Sequence, residues 1–158
     1  DCYILILDKL IEQRIMPDVS DAKSASYNDE PVPGRASPIK TYSHSETRTI
    51  SWTMHFVVCE YGDIDDYLDT LRVIEAATYP MDGQPTAPPP ICKLKFGHIL
   101  GDDELCAVLK SYTFKPATDA AYDEKTLMPY KFDVDMSFDV VYDSLNLPNA
   151  DTIWISGN

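Results

Sequence analysis

The segment YKFDVDMSFDVVY, residues 130–142, alternates apolar and polar side chains along almost its whole length. An alternation of period two is typical of a β-strand with one face in a core and the other facing outward. At ~3.3 Å per residue the segment would extend over roughly 40 Å, far more than the usual strand of about five or six residues. Strands of this length are typical of barrels or tubes.

The same alternation of apolar and polar side chains occurs in residues 49–61, which predicts a second long strand. Shorter strands are predicted at 91–96 and 105–114, joined by a hairpin turn. Residues 63–77 instead repeat apolar side chains at three- and four-residue steps, which predicts one amphipathic helix. The apolar start, residues 2–16, is ambiguous, and we favour a strand followed by a short helical or extended stretch.

Residues 17–46 show no periodicity and contain four prolines. A structureless loop longer than about 12–15 residues needs a reason in a compact domain. We therefore predict a long arm loop that is disordered or packs on something other than its own core. The predicted fold is mainly β (α+β), an antiparallel β-sandwich or barrel with one flanking α-helix and this arm.

The 158 residues include 13 basic and 26 acidic side chains, for a net charge of −13, with 44% hydrophobic residues. This length and composition predict a single domain, residues 1–158, with a sizeable core. So acidic a surface repels phosphate backbones and anionic membranes, which argues against specific nucleic-acid binding and against membrane binding. The cysteines form no C-x-x-C pair and favour buried reduced thiols, with disulfides left open: Cys2, Cys59, Cys92 and Cys106.

No motif in the sequence predicts catalysis, so we expect no enzyme, no metal and no cofactor. The three histidines, His44, His55 and His98, are not at metal-ligand spacing, and we interpret each as an ordinary strand or loop residue.

The acidic row Asp133, Asp135 and Asp139 has three interpretations. It could be a solvated strand face paired across strands, the lining of a channel, or a metal site. The metal is least favoured, because same-face neighbours two residues apart stand ~6–7 Å from each other. The cross-strand partners that the sequence suggests are lysines: Lys93, Lys95 and Lys110.

Several short motifs follow one another along the chain. They are G-R-A-S-P at 34–38, Y-S at 42–43, R-T-I-S at 48–51, Y-P at 79–80, P-P-P-I at 88–91, F-G at 96–97 and L-M-P at 127–129. In this order they resemble phage baseplate proteins built on the tail-tube fold, relatives of baseplate proteins that carry a peptidoglycan-binding LysM module. The resemblance covers roughly residues 15–143.

The resemblance implies a structural virion protein at the baseplate end of a contractile tail tube, made in the host cytoplasm. Such proteins are tube initiators or tube–hub junctions that form rings, usually hexameric, around a channel through which DNA passes without specific contact. It implies contacts with the adjacent tail tube and with baseplate hub or wedge proteins. It also suggests an inter-subunit arm at Gly34, Arg35, Pro38 and Tyr42.

Few residues follow residue 142, which favours the tube or junction role over wall binding. Two alternatives stay open: a component of a related contractile injection system, and a peptidoglycan-binding baseplate module. A monomeric carbohydrate-binding module would need an exposed aromatic platform. Trp52 is predicted to face the core, and Trp154 is the aromatic left unassigned.

Overall fold

The computed structural model describes residues 2–81, 88–101 and 103–142. Trp154 and part of the predicted loop at 80–90 lie outside the described residues. The described strands and helix are, in chain order, β1 Cys2–Ile6, β2 Lys9–Glu12, β3 Asp18–Ala22, β4 Ala25–Glu30, β5 Ile39–Ser45, β6 Thr49–Val57, α1 Tyr61–Ala76, β7 Cys92–Phe96, β8 Leu105–Pro116 and β9 Lys131–Val140.

Seven of these strands form one antiparallel sheet in the order β2-β1-β7-β8-β9-β6-β3, and β4 pairs with β5 in a separate two-stranded sheet. The prediction of a mainly β, antiparallel fold with one helix is confirmed for the described part of the chain. The two strands predicted to be longest, β6 and β9, are neighbours paired along their length from Thr49 opposite Asp139 to Val57 opposite Lys131. β9 has 10 residues, because the pairing ends before both tyrosines of the segment at 130–142.

The seven-stranded sheet is not flat. Its two edges, β2 and β3, are consecutive in the chain, and the connection from Glu12 to Asp18 reaches at most about 20 Å. Consistent with this short reach, the side-chain nitrogen Nε2 of Gln13 lies 2.9 Å from the Met54 sulfur on β6. However, β2 and β3 are not paired with each other in the described structure, so the barrel alternative is wrong and the sheet is open.

Helix α1 covers the apolar face of the sheet. The Tyr67 ring packs edge-to-face on Phe56, with ring centroids 5.0 Å apart, and on Phe132, at 5.8 Å. Asp63 accepts hydrogen bonds from the backbone N–H groups of Cys59 and Glu60, so the helix starts at Tyr61, two residues before the predicted position. The apolar stripe was predicted correctly because its spacing is a local property of the sequence.

The chain start forms a hairpin. β1 and β2 are joined by Leu7 and Asp8, which both have positive φ values, 47° and 65°. Two consecutive residues of this kind make the tight turn whose twist matches that of paired strands. The stretch after β1 is therefore extended, and the helical alternative is excluded for these residues.

The prediction that residues 17–46 form a loop is wrong. Their first part, β3, is the edge strand of the main sheet, paired with β6 from Asp18 opposite Thr53 to Ala22 opposite Thr49. Residues 25–45 form a β-hairpin, which we call the arm hairpin, with a register irregularity beside Tyr27. The prediction failed because β3 and the hairpin are mostly exposed and carry no apolar alternation.

Candidate functional site

Four adjacent strands, β8-β9-β6-β3, form a layer whose outer side is almost free of large apolar side chains. Half-exposed Val108 and exposed Val57 lie at its two ends. We call the surface between them the polar face; it consists of Asp18, Ser20, Ala22, Thr49, Ser51, Thr53, His55, Ser111, Thr113, Lys115, Asp133, Asp135, Ser137 and Asp139. The opposite side of the same strands carries the core, including Trp52 and Phe132, which are 0% and 1% exposed.

Asp135 is the best-paired carboxylate of the acidic row. It accepts a hydrogen bond of 2.8 Å from Thr53 Oγ1 and forms a salt bridge with Lys115. The Lys115 ammonium, together with Thr53, holds the pKa of the Asp135 carboxyl below its ordinary value. The predicted cross-strand pairing with lysine therefore exists, and Lys115 supplies it. Of the lysines named from the sequence, Lys93 and Lys95 lie on β7, which is not a neighbour of β9, and Lys110 lies on β8 at the break in its register with β9.

Asp133 faces His55, which the sequence suggested was an ordinary strand residue. The His55 Nδ1 atom lies 2.7 Å from Asp133 Oδ1, and its Nε2 atom lies 3.2 Å from Asp18 Oδ2. Hydrogen bonding to Asp133, and then to Asp18, raises the pKa of the His55 imidazole above its ordinary value. No sequence pattern indicates this cluster, because its three members come from three strands.

Asp139 has the weakest polar contact of the row, a bond of 3.4 Å from Thr49 Oγ1. No group of three or more metal-ligating side chains placed to hold an ion occurs within residues 2–81, 88–101 and 103–142. An open groove of about 590 Å³ runs along the polar face and is lined mainly by hydroxyl and carboxylate groups. Such a surface suits contact with water and with polar molecules.

One edge of the polar layer is the second half of β8. β7 pairs with β8 only at residues 105–107, and an irregularity between Leu109 and Ser111 separates this part from the rest of the strand. The Ala117 N–H donates to the Lys131 carbonyl on β9. Because backbone groups alternate in direction along an antiparallel strand, the N–H and C=O groups of Tyr112 and Phe114 point away from β9. In the described structure no strand pairs with them.

The other edge is β3. The Val140 N–H donates to the Arg48 carbonyl, just before β6. The even-numbered residues of β6 therefore direct their N–H and C=O groups toward β9, and the odd-numbered residues direct theirs toward β3. It follows that Val19 and Asp21 on β3 direct their N–H and C=O groups away from the sheet. Within the described residues this edge, too, is unpaired.

The arm hairpin carries the residues that the resemblance suggested for inter-subunit contact. At its tip Gly34 has a φ of 79°, and the Arg35 N–H donates to the Val32 carbonyl at 3.2 Å, which makes a tight turn. Arg35 and Pro38 are exposed beside this turn. All residues of β4 and β5 are exposed except Ser26, which is half-buried.

Tyr42 lies on the arm hairpin in edge-to-face contact with Tyr27, with ring centroids 5.8 Å apart. The two side chains are 57% and 54% exposed. At the base of the hairpin the Arg48 guanidinium binds the Asp21 carboxylate through two hydrogen bonds. The hairpin is thus anchored at its base and bare along its length.

Comparison with protein-family models found no match, and a search of curated proteins found none either. The described helix is not long and apolar enough to cross a membrane. All four cysteines are unpaired, and burial raises the pKa of the Cys92 thiol to about 11. Complete burial of Trp52 removes it as an exposed aromatic platform for a sugar.

Proposed function

We propose that this chain is a structural protein at the baseplate end of a phage contractile tail tube, or of a related contractile injection system. Copies close into a ring, six by the family resemblance, around a channel lined by the polar face. The observation that carries the proposal is the four-stranded layer, which within the described residues has two unpaired edges, one polar face and one face buried in the core.

The two open edges have the backbone pattern needed to pair with each other. Strand directions alternate across β8-β9-β6-β3, and the number of strands is even, so β3 of one copy meets β8 of the next in antiparallel orientation. With Val19 opposite Phe114 and Asp21 opposite Tyr112, the outward N–H and C=O groups form about four backbone hydrogen bonds. Each edge thus meets a different edge, which is the arrangement that generates closed rings.

The charges on the two edges are also complementary. β3 carries Asp18 and Asp21 and no basic residue, whereas the open half of β8 carries Lys110 and Lys115 and no acidic residue. In the register above, Asp18 stands opposite Lys115 on the polar face. Opposite charges across paired strands favour the pairing, and like charges disfavour pairing of an edge with its own copy.

The resulting channel is wide and polar. Six four-stranded layers at ~4.8 Å per strand give a circumference of roughly 115 Å and a backbone diameter of roughly 37 Å, before strand tilt widens it. The polar face has four carboxylates against Lys115 and His55, so its net charge is negative. Such a wall repels a passing polyanion and lets DNA move without specific contact.

Edge pairing alone does not hold such a ring. About four hydrogen bonds contribute roughly 1 kcal/mol each. Their sum only equals the lower estimate, about 4 kcal/mol, of the free energy that association costs through lost translational and rotational freedom. The arm hairpin supplies the missing contact, because isolated two-stranded hairpins are marginally stable in water and this one presents Tyr27 and Tyr42 to solvent. We propose that it binds a neighbouring copy or an adjacent tube, hub or wedge protein.

The edges can be tested by blocking them one at a time. Val19→Pro and Phe114→Pro each remove an outward N–H without removing a hydrogen bond inside the sheet. The matched controls Val19→Ala and Phe114→Ala shorten the same side chains but keep the N–H groups. Sedimentation velocity and electron microscopy of the purified chain at increasing concentration then report the assembly.

We expect rings for the wild type and both alanine controls, and monomers for each proline variant alone. An equimolar mixture of the two proline variants should form a dimer, because each variant keeps the edge that the other has lost. Circular dichroism confirms that the monomers are folded. A folded wild-type chain that stays monomeric at every concentration, or proline variants that assemble normally, would contradict the proposed function.

A further inference from the structure

The side chain of His55 joins three strands of the polar face. Its Nδ1 atom contacts Asp133 Oδ1 on β9 at 2.7 Å, and its Nε2 atom contacts Asp18 Oδ2 on β3 at 3.2 Å. An ionised carboxylate only accepts hydrogen bonds, so both contacts are hydrogen bonds only when both ring nitrogens carry a proton. A neutral imidazole directs a lone pair at one of the two carboxylates, and that contact becomes repulsive.

The contact that a neutral His55 gives up is the one to Asp18. The Asp18 side chain is 83% exposed, that of Asp133 is 39% exposed, and the Asp133 contact is the shorter. Asp18 is also the first residue of edge strand β3, directly after Pro17. Once released, its carboxylate can turn into water at little cost, while Asp133 stays in the middle of the sheet.

Other charged or titratable groups lie near His55. On the polar face, Asp135 and Lys115 form the neighbouring salt bridge. On the helix side, a cavity of about 240 Å³ reaches His55 and is also lined by these titratable groups: Glu12, Arg14, Cys59, Asp66 and Tyr67. The charges that act directly on the ring are those of the two carboxylates it contacts, Asp133 and Asp18, and they favour the protonated ring. The raised pKa of His55 agrees with this, although partial burial acts in the opposite direction.

We propose that His55 is a pH-sensitive latch that holds the first residues of edge strand β3 on the sheet when protonated and releases them when neutral. The latch acts within one copy and does not depend on the proposed function. A histidine whose pKa is raised by folding stabilises the fold fully below its ordinary pKa, which is about 6.5. The latch is therefore closed below about pH 6.5, and it opens as the pH rises through the higher pKa that His55 has in the folded chain. If β3 is also a ring edge, assembly weakens over the same range.

The latch can be measured by nuclear magnetic resonance on the full chain. The titration of the His55 ring gives its pKa, and hydrogen exchange gives the protection of the Ser20 and Ala22 amides, which face β6. We expect a pKa above ~6.5 and a fall in protection of about two- to fivefold as the pH passes that value, the size typical of an exposed ion pair. Protection factors corrected for base-catalysed exchange are compared.

Two variants and one control make the result specific. Asp18→Asn can donate to a neutral ring as well as accept from a charged one, so β3 protection should no longer depend on pH and the pKa of His55 should fall. His55→Gln should also remove the pH dependence. The control His98→Gln, in the turn after β7, should keep it. A His55 that titrates at or below ~6.5, or β3 protection that does not change through its pKa, overturns the proposal.

Discussion

Replacing both exposed tyrosines of the arm hairpin by serine should weaken assembly without weakening the fold. Tyr27 and Tyr42 are 54% and 57% exposed and contact each other. A buried tyrosine covers about 200 Å² of surface, so docking would newly bury ~100 Å² on each, worth about 2.5 kcal/mol per ring at ~25 cal/mol/Å². Immobilising two side chains costs about 2 kcal/mol in total, which leaves a net of about 3 kcal/mol.

A loss of about 3 kcal/mol corresponds to a fall in the association constant of roughly a hundredfold. Sedimentation velocity over a concentration series measures this constant, and thermal unfolding of the dilute chain measures the fold. The matched control is Asn28→Ser with Thr41→Ser, a cross-strand pair on the opposite side of the same hairpin. An unchanged association constant in the double tyrosine variant would refute the reasoning that the aromatic side of the arm is an interface.

Four other substitutions test the anchoring, the core and the polar face. The hydrogen bond from Arg48 lowers the pKa of the Asp21 carboxyl. The stabilisation from this contact is therefore fully present above the ordinary Asp pKa of ~3.9, and it is lost as the pH falls through the lower pKa of the folded chain. Hydrogen exchange at the base of the arm hairpin should show this loss in the wild type and not in Asp21→Asn. The Trp52 indole N–H is buried without a partner in the described structure, at a cost of ~1–3 kcal/mol. Trp52→Phe removes this cost, and the gain offsets the packing lost with the smaller side chain. Urea unfolding should therefore show a change in the free energy of unfolding below about 1 kcal/mol. Asp139→Asn should leave the melting temperature unchanged, whereas Asp135→Asn should lower it. If the polar face lines the channel, Asp139→Asn should nevertheless slow DNA exit from the phage.

The elements that the sequence predicted are those fixed by local periodicity. β6 and β9 alternate strictly, and α1 repeats at helical spacing, so their type and their buried faces follow from the chain itself. The turn between β1 and β2 escaped prediction because its positive-φ positions are Leu7 and Asp8, where glycine or asparagine is the usual signal.

The arm hairpin did have a signal, the Pro33-Gly34 dipeptide at its tip, flanked by two stretches of similar length. Its strands nevertheless lack alternation, because both sides face solvent in the single chain. A hairpin that packs on neither side against the core of its own chain shows no amphipathic pattern, so prediction from periodicity fails there.

For the candidate site, period two was enough to place Asp133, Asp135 and Asp139 on one face. Their partners were out of reach, because Lys115, His55 and Asp18 lie on strands whose register is set by long-range pairing. A pattern within one strand predicts which way a side chain points, but not what stands opposite.

The irregularity in β8 connects these observations. Between Leu109 and Ser111 the strand advances two residues while β9 advances one, so Lys110 is an extra residue. Without it, every later residue of β8 would turn to the other side of the sheet, and the aromatic rings of Tyr112 and Phe114 would face the groove in place of the threonine and lysine now there. The extra residue also falls where β8 leaves β7. One inserted residue therefore both keeps the polar face polar and marks the start of the edge that no described strand pairs with, and the proposed pairing with a neighbouring copy requires both features.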